Sequence, residues 1–99
     1  MKTLLKKLVE TTAPSGYEGN IRKLIEAELK GHVDSLKVDP LGNLIALKGE
    51  KTADNTTVML AAHMDEIGLM VTHVDENGFA RFTRIGGVFP RNTAGGRVR

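Results

Sequence analysis

The sequence predicts an α/β fold, and three features of its apolar patterning support this class. Two segments near the N-terminus repeat apolar residues at helical spacing. Several short segments after residue 35 alternate polar and apolar residues or are apolar throughout, which is typical of strands. One of them, residues 58–62, is apolar without interruption, and such a run favours a central strand covered on both faces. A chain of 99 residues supplies little cover of this kind, so we expect it to form part of a larger unit.

Two amphipathic helices are predicted to begin the chain. Pro14 ends the first helix, because the residue before a proline is pushed out of the α region. Ser15 and Glu18 have the spacing of a capping box that opens the second helix, and Gly31 is a natural stop for it. The two apolar stripes consist of Leu4, Leu5, Leu8 and Val9, and of Ile21, Leu24, Ile25 and Leu29.

A first hairpin is predicted after the helices. Residues 36–39 and 44–47 have strand-like patterns, and the intervening residues 40–43 contain the proline, glycine and asparagine typical of a turn. At the other end of the chain, residues 95–99 have the pattern of a further strand.

A second hairpin is predicted around Asn77-Gly78, the dipeptide most favoured in short hairpin turns. With these two residues as the central pair of the turn, His73 lies opposite Phe82 and Met70 lies opposite Ile85. The two strands of this hairpin are expected over residues 67–74 and 79–85. A bulged loop would shift this register by one residue.

Composition and charge argue against several classes of protein. The chain is 40% hydrophobic and 26% charged, contains no cysteine, and has no apolar run long enough for a membrane helix. Lysines interrupt the apolar stretch at the N-terminus, so no signal peptide is predicted. Residues 67–99 contain five arginines and two acidic residues, but no nucleic-acid-binding motif accompanies them. We therefore expect a soluble cytoplasmic protein with neither a membrane nor a nucleic acid as its partner.

The candidate site consists of His63 and Asp65. On a strand, residues two apart point to the same side, so both side chains are expected at the carboxyl end of the strand predicted over residues 58–62, where α/β sheets place their ligands. A metal-binding histidine commonly donates its other ring N–H to a carboxylate. From the spacing alone a structural His–Asp pair is the more common arrangement, and both interpretations stay open. Glu66 is expected to point to the opposite face, so no carboxylate dyad with Asp65 is predicted.

Four sequence blocks, in the same order along the chain, carry a family resemblance. They are PSGYE at residues 14–18, DPLGNLI at 39–45, LAAHMDEIGLMV at 60–71, and the stretch 79–99 with its paired glycines and Pro-Arg step. Together they resemble the tetrahedral-aminopeptidase family of dinuclear metallopeptidases, which comprises glutamyl and leucyl aminopeptidases and members once labelled endoglucanases. Phe89 departs from the pattern, since an acidic residue is expected at this position.

The resemblance implies a fold and a domain division. Residues 1–66 are expected to form the N-terminal part of an α/β sandwich metallopeptidase domain. Residues 67–99 are expected to begin an inserted β-rich, PDZ-like dimerisation domain.

The resemblance also implies an activity. His63 would bind one of two divalent metal ions, zinc or cobalt, and Asp65 would count among the catalytic residues as the group that orients His63. Two such metals activate water and stabilise the attacking and leaving groups of amide hydrolysis. The expected substrates are peptides that lose their N-terminal residues, and the expected assembly is a homo-oligomer in which dimers build a dodecamer.

Most of the family's metal ligands have no counterpart in this sequence. The missing residues are a bridging aspartate, two adjacent glutamates that include the general base, a further acidic ligand and a final histidine. A catalytic zinc takes about three protein ligands, so we expect an N-terminal fragment that is inactive by itself. The alternative is a non-catalytic assembly module whose hairpin pairs with another subunit through its edge. A polysaccharide hydrolase is least expected, because glycoside hydrolysis normally needs two carboxylates flanking the bond.

Overall fold

The computed structural model of the chain describes residues 1–50 and 52–98. Two helices are followed by two hairpins and a single helical turn, so that helices and strands are mixed as the α/β class predicts. The elements are α1 (Lys2–Glu10), α2 (Gly19–Leu29), β1 (Ser35–Val38), β2 (Leu44–Leu47), β3 (Gly68–Val74), β4 (Ala80–Ile85) and α3 (Pro90–Thr93). The four strands form two separate antiparallel pairs, β1 with β2 and β3 with β4. No helix in this described part of the chain has the length and apolarity that a membrane crossing requires.

Both N-terminal helices form where the apolar periodicity predicts them. An ion pair of 2.7 Å between Lys7 Nζ and Glu28 Oε1 connects α1 to α2. Ile21, on the apolar stripe of α2, is 4% exposed and belongs to the small core. Gly31 follows the end of α2 with φ 84°, a left-handed conformation that glycine adopts without a Cβ clash.

The predicted capping box is wrong. Helix α2 begins at Gly19 with Glu18 as its N-cap residue, and no side chain caps it. The Glu18 carboxylate instead accepts a hydrogen bond from the Gly16 backbone N–H at 2.6 Å. The hydroxyl of Ser15 is not available to the helix because it donates to the carboxylate of Asp65.

The first hairpin has the predicted position and a tightly bonded turn. Its last strand pair is Val38 with Leu44, and Asp39 Oδ1 accepts the backbone N–H groups of Leu41 and Asn43 at 3.0 and 2.8 Å. In the second hairpin, Asp75 Oδ1 accepts the N–H groups two and four residues later in the same way. The two hairpins thus share one turn design, an aspartate followed three residues later by a left-handed glycine.

The predicted register of the second hairpin is wrong, because the turn is not centred on Asn77 and Gly78. Gly78 has φ 84°, whereas Asn77 stays outside the left-handed region, so the loop runs from Asp75 to Phe79 and Val74 pairs with Ala80. This bulged loop produces the one-residue shift that the sequence left open. A second irregularity between Val71 and His73 adds another shift. The resulting pairs include His73 with Arg81 and Met70 with Thr83, in place of Phe82 and Ile85.

The central strand predicted over residues 58–62 is wrong as well. This segment has no regular secondary structure, and the side chains of Val58, Met59 and Leu60 are 76%, 85% and 93% exposed. A strand needs a neighbouring backbone to complete its hydrogen bonds, and no described strand lies beside this one. The expected strand at the end of the chain is also absent over residues 95–98, while Arg99 lies outside the described residues.

The connection between α1 and α2 is fastened to the segment that precedes β3. Pro14 and Glu66 form an isolated parallel bridge. Glu66 donates its backbone N–H to the Ala13 carbonyl at 2.8 Å, and the Ala13 N–H donates to Glu66 Oε1 at 3.0 Å. Ala13 is 2% exposed, so this pair of hydrogen bonds lies in the best-protected part of the structure. It positions the segment that carries His63 and Asp65.

Candidate functional site

His63 and Asp65 are in direct contact, although neither belongs to a strand. They lie in the irregular segment before β3, and His63 Nδ1 is 2.8 Å from Asp65 Oδ1. The same ring nitrogen is 3.1 Å from the Asp65 backbone carbonyl oxygen. Since both partners are acceptors, Nδ1 carries the hydrogen, and the lone pair of the neutral ring is on Nε2.

The imidazole of His63 is held on one side and open on the other. Its side chain is 84% exposed, whereas the side chain of Asp65 is 36% exposed. The held Nδ1 and the accessible Nε2 are the arrangement found in histidines that bind zinc or cobalt, where a carboxylate fixes the tautomer and raises the basicity of the ligand. The chemistry of this pair therefore fits one protein ligand of a divalent metal.

Ser15 is the third member of the site, and sequence reasoning missed it. Its half-buried hydroxyl donates to Asp65 Oδ2, so each oxygen of the carboxylate accepts a bond from a different residue. The local pattern assigned this hydroxyl to helix capping. The only signal in the sequence for a role in the site was the membership of Ser15 in one of the family-like blocks.

These bonds keep Asp65 ionised. The hydrogen bond from Ser15 lowers the pKa of the Asp65 carboxyl below its ordinary value, and the bond from His63 lowers the pKa further. Both bonds are made to the charged form and favour it. An ionised carboxylate only accepts hydrogen bonds, which is the role that the orientation of His63 requires.

The carboxylates of Glu66 and Asp65 bond to different residues, although the segment that carries them is not the strand on which their opposite directions were predicted. The Glu66 carboxylate accepts the Ala13 N–H, while Asp65 contacts Ser15 and His63. Over residues 1–50 and 52–98, no group of three or more histidine, aspartate or glutamate side chains comes together to hold a metal. The described residues thus supply one candidate ligand with its support.

Comparison with known proteins gives a family match over more than half of the chain. The model of the M42 glutamyl aminopeptidase family matches residues 42–99, a stretch that includes His63 and Asp65. A protein of Acetivibrio thermocellus is 50% identical over 99 residues, which is 100% of this chain and 29% of that protein. The lysyl aminopeptidase of Pyrococcus furiosus is 46% identical over 98 residues, which is 97% of this chain and 27% of the relative. The chain therefore spans less than a third of the length of these curated relatives.

Solved structures share the arrangement of helices and hairpins. Aminopeptidase APDkam598 from the archaeon Desulfurococcus kamchatkensis has a TM-score of 0.81 and 44% identity, covering 90% of this chain and 24% of its own. PhTET1-12s, described as a dodecamer in the asymmetric unit, has a TM-score of 0.79 and 42% identity, covering 90% of this chain and 26% of its own. The fold described above is thus also found in aminopeptidases of known structure.

Proposed function

Because the chain belongs to the M42 glutamyl aminopeptidase family, we propose that it forms the first part of the catalytic domain of a metal-dependent aminopeptidase that removes N-terminal residues from peptides. The observation that carries this proposal is the contact of 2.8 Å between Asp65 Oδ1 and His63 Nδ1, which leaves Nε2 exposed. The family match favours this activity over a stand-alone assembly module, since it includes the segment that carries the site.

His63 is the residue that would hold a metal, and Asp65 acts on the reaction through His63. Asp65 keeps the proton on Nδ1 and prevents the imidazole from turning, so that Nε2 stays directed outward as a ligand. We propose two divalent ions, zinc or cobalt, as the cofactors of the complete centre. When bound, such ions supply an activated water and charge stabilisation for amide hydrolysis.

We further propose that the chain contributes to two domains and to a homo-oligomer. Residues 1–66 would belong to the catalytic domain, and residues 67–99 would begin the PDZ-like dimerisation domain. The separate pairing of β3 with β4 supports this division. The dodecamer described for PhTET1-12s supports a homo-oligomer, for which we propose dimers as the building unit. We also propose a cytoplasmic location.

The test is His63→Ala in the protein as its source cell makes it. Hydrolysis of amino-acid p-nitroanilides should fall by more than about a hundredfold in kcat/KM, because even the outer partners of a metal ligand contribute 10- to 100-fold. His32→Ala is the matched control, since His32 is exposed just after α2 and should leave the rate unchanged. Unchanged turnover in the His63 variant would contradict the proposal.

A substrate series separates this activity from other hydrolases. Substrates with a free N-terminal amino group should be cleaved, and the same substrates with an acetylated amino group should not. Cleavage of both series at equal rates would exclude an aminopeptidase, whatever the effect of the His63 variant.

A further inference from the structure

We propose that Ser15 is a positioning residue for His63, acting through the carboxylate of Asp65 so that the exposed imidazole nitrogen is presented in one orientation. This inference rests on the proposed function, because it concerns the same candidate ligand. Ser15 is 50 residues from Asp65 in the chain, and no local sequence pattern connects it to the site.

The carboxylate of Asp65 accepts hydrogen bonds from two different donors. Oδ2 of Asp65 accepts from the Ser15 hydroxyl and Oδ1 accepts from His63 Nδ1. The terminal torsion of an aspartate is broad, so one hydrogen bond alone leaves the carboxylate free to rotate. Two donors on opposite oxygens restrict this rotation, and the restricted carboxylate in turn restricts the imidazole.

The turn that carries Ser15 has a constrained backbone. The Tyr17 N–H donates to the Pro14 carbonyl at 2.8 Å, which closes a four-residue turn with Ser15 as its second residue. Gly16, the third residue, has φ 88°, as a type II turn requires. Proline at the first position further limits the backbone next to Ser15. The Ser15 hydroxyl is therefore positioned by a constrained backbone rather than by a mobile loop.

The turn that carries Ser15 is attached to the segment that carries His63 and Asp65. The two hydrogen bonds between Ala13 and Glu66 hold the residue two positions before Ser15 and the residue immediately after Asp65. Pro14 also packs closely on Gly68, where an added Cβ would lie 3.1 Å from the Pro14 Cβ. Both flanks of the Ser15–Asp65 bond are thus fixed by contacts that do not involve His63.

A capping role does not account for this hydroxyl. Helix α2 has no side-chain cap, and the nearby Glu18 carboxylate is bonded to the Gly16 N–H. The Ser15 hydroxyl instead donates to the carboxylate of Asp65.

The experiment measures metal affinity in the protein as its source cell makes it, by competition of Zn²⁺ or Co²⁺ against a chelator. Ser15→Ala should weaken metal binding by about tenfold, the lower end of the range for outer partners of a ligand. Ser15→Thr keeps the hydroxyl and should restore most of the affinity. Ser35→Ala is the matched control, because Ser35 is an exposed serine on β1 and should leave the affinity unchanged.

A double-mutant cycle with Asp65→Asn identifies the route of the effect. If Ser15 acts through the carboxylate, Ser15→Ala should lose most of its effect in the Asp65→Asn background. Full additivity of the two substitutions would overturn the proposal, since it would mean that Ser15 reaches the metal site by another route.

The possible outcomes separate this inference from the proposed function. Metal affinity that does not change in His63→Ala defeats the proposed function itself. Affinity that depends on His63 but stays within about twofold of wild type in Ser15→Ala defeats only the role of Ser15. If Ser15→Ala fails to fold, Ser15→Val decides by comparison with Ser15→Thr, because the two side chains have nearly the same shape and only threonine carries a hydroxyl. Equal affinities in these two variants count against the proposal, and a weaker affinity in Ser15→Val supports it.

Discussion

The side chains of Ser15, Asp65 and His63 form a short chain of hydrogen bonds that ends at an exposed ring nitrogen. The neutral hydroxyl and the charged carboxylate are both partly buried, whereas the imidazole at the end is open to solvent. The serine hydroxyl and the imidazole N–H both stabilise the charged carboxylate, so the polar group that is partly removed from water remains fully bonded.

At this scale we predict that Asp65→Asn is more damaging to metal binding than Ser15→Ala. Asparagine keeps the shape of the side chain but loses the charge that fixes the tautomer of His63, so Zn²⁺ affinity should fall by about 10- to 100-fold. The chelator competition described above measures this change. Asp54→Asn, in an exposed turn elsewhere in the chain, is the control. An affinity loss in Asp65→Asn smaller than that in Ser15→Ala would contradict the proposed order of influence.

The two hairpins illustrate how an element obtains its register from a single turn. In both, an aspartate carboxylate collects two backbone N–H groups and a left-handed glycine follows. The aspartate fixes the first residue of the turn. The left-handed glycine accommodates the bulge in the loop, and the bulge determines which residues of the two strands pair.

We predict that Gly78→Ala destabilises the second hairpin by about 1 to 2 kcal/mol, because alanine at φ 84° brings its Cβ against the backbone. Gly87→Ala is the matched control, since Gly87 has an ordinary φ and open space around its Cα, and it should change stability by less than about 0.5 kcal/mol. Denaturant unfolding of the two variants, each in the protein as its source cell makes it, measures both values. Equal effects would mean that the turn tolerates another conformation.

We also predict that the first hairpin weakens in acid. The hydrogen bond from the Asn43 side chain lowers the pKa of Asp39, and backbone bonds from the same turn add to the effect. The stability contributed by the charged carboxylate is present above the ordinary pKa of aspartate and is lost as the pH falls below it, through the lowered pKa of the folded state.

Asp39→Asn tests the acid effect, because it keeps an acceptor oxygen but does not titrate. The difference in melting temperature between wild type and this variant should be larger at about pH 6 than at about pH 2.5. A difference for Asp39→Asn that is the same at both pH values would refute this account of the turn.

The whole molecule buries very little. Its radius of gyration is 18.2 Å, whereas a compact domain of this length has about 13 Å. Ala13 and Ile21 are the buried apolar residues of the described chain, while residues 58–60 expose large apolar side chains. Such surfaces favour association, so these residues are expected to need cover from other parts of a larger assembly.

We therefore predict that the 99 residues expressed alone bind a hydrophobic dye and either aggregate or unfold without cooperativity. Size-exclusion chromatography and dye fluorescence measure this, with the protein from its source cell as the comparison. The intact mass of that source protein should be well above 10.7 kDa. A cooperative monomer of 10.7 kDa that binds no dye would show that the exposed surface needs no cover.

Local chemistry accounts for what the sequence predicted, and contacts between distant residues account for what it did not. The two N-terminal helices and the first hairpin depend on residues within a few positions of one another, and they form where expected. Ser15 was misassigned because the partner of its hydroxyl is 50 residues away. The strand expected over residues 58–62 depends on neighbouring backbones that no feature of its own sequence can supply. His63 and Asp65 were found because their contact spans two residues only.

The fastening of Ala13 to Glu66 has a consequence for the order in which the protein forms. It closes a loop of 53 residues. Closing a loop of this length lowers the entropy of the chain before the contacts between its ends can offset that loss. Helix α2 and the first hairpin lie between these two ends, form from near neighbours and need no such closure. On the ribosome, Ser15 leaves the exit tunnel long before Asp65 does, so the N-terminal turn exists first without the group that it supports. We therefore expect the candidate ligand to acquire its orientation late in folding, after helix α2 and the first hairpin have formed.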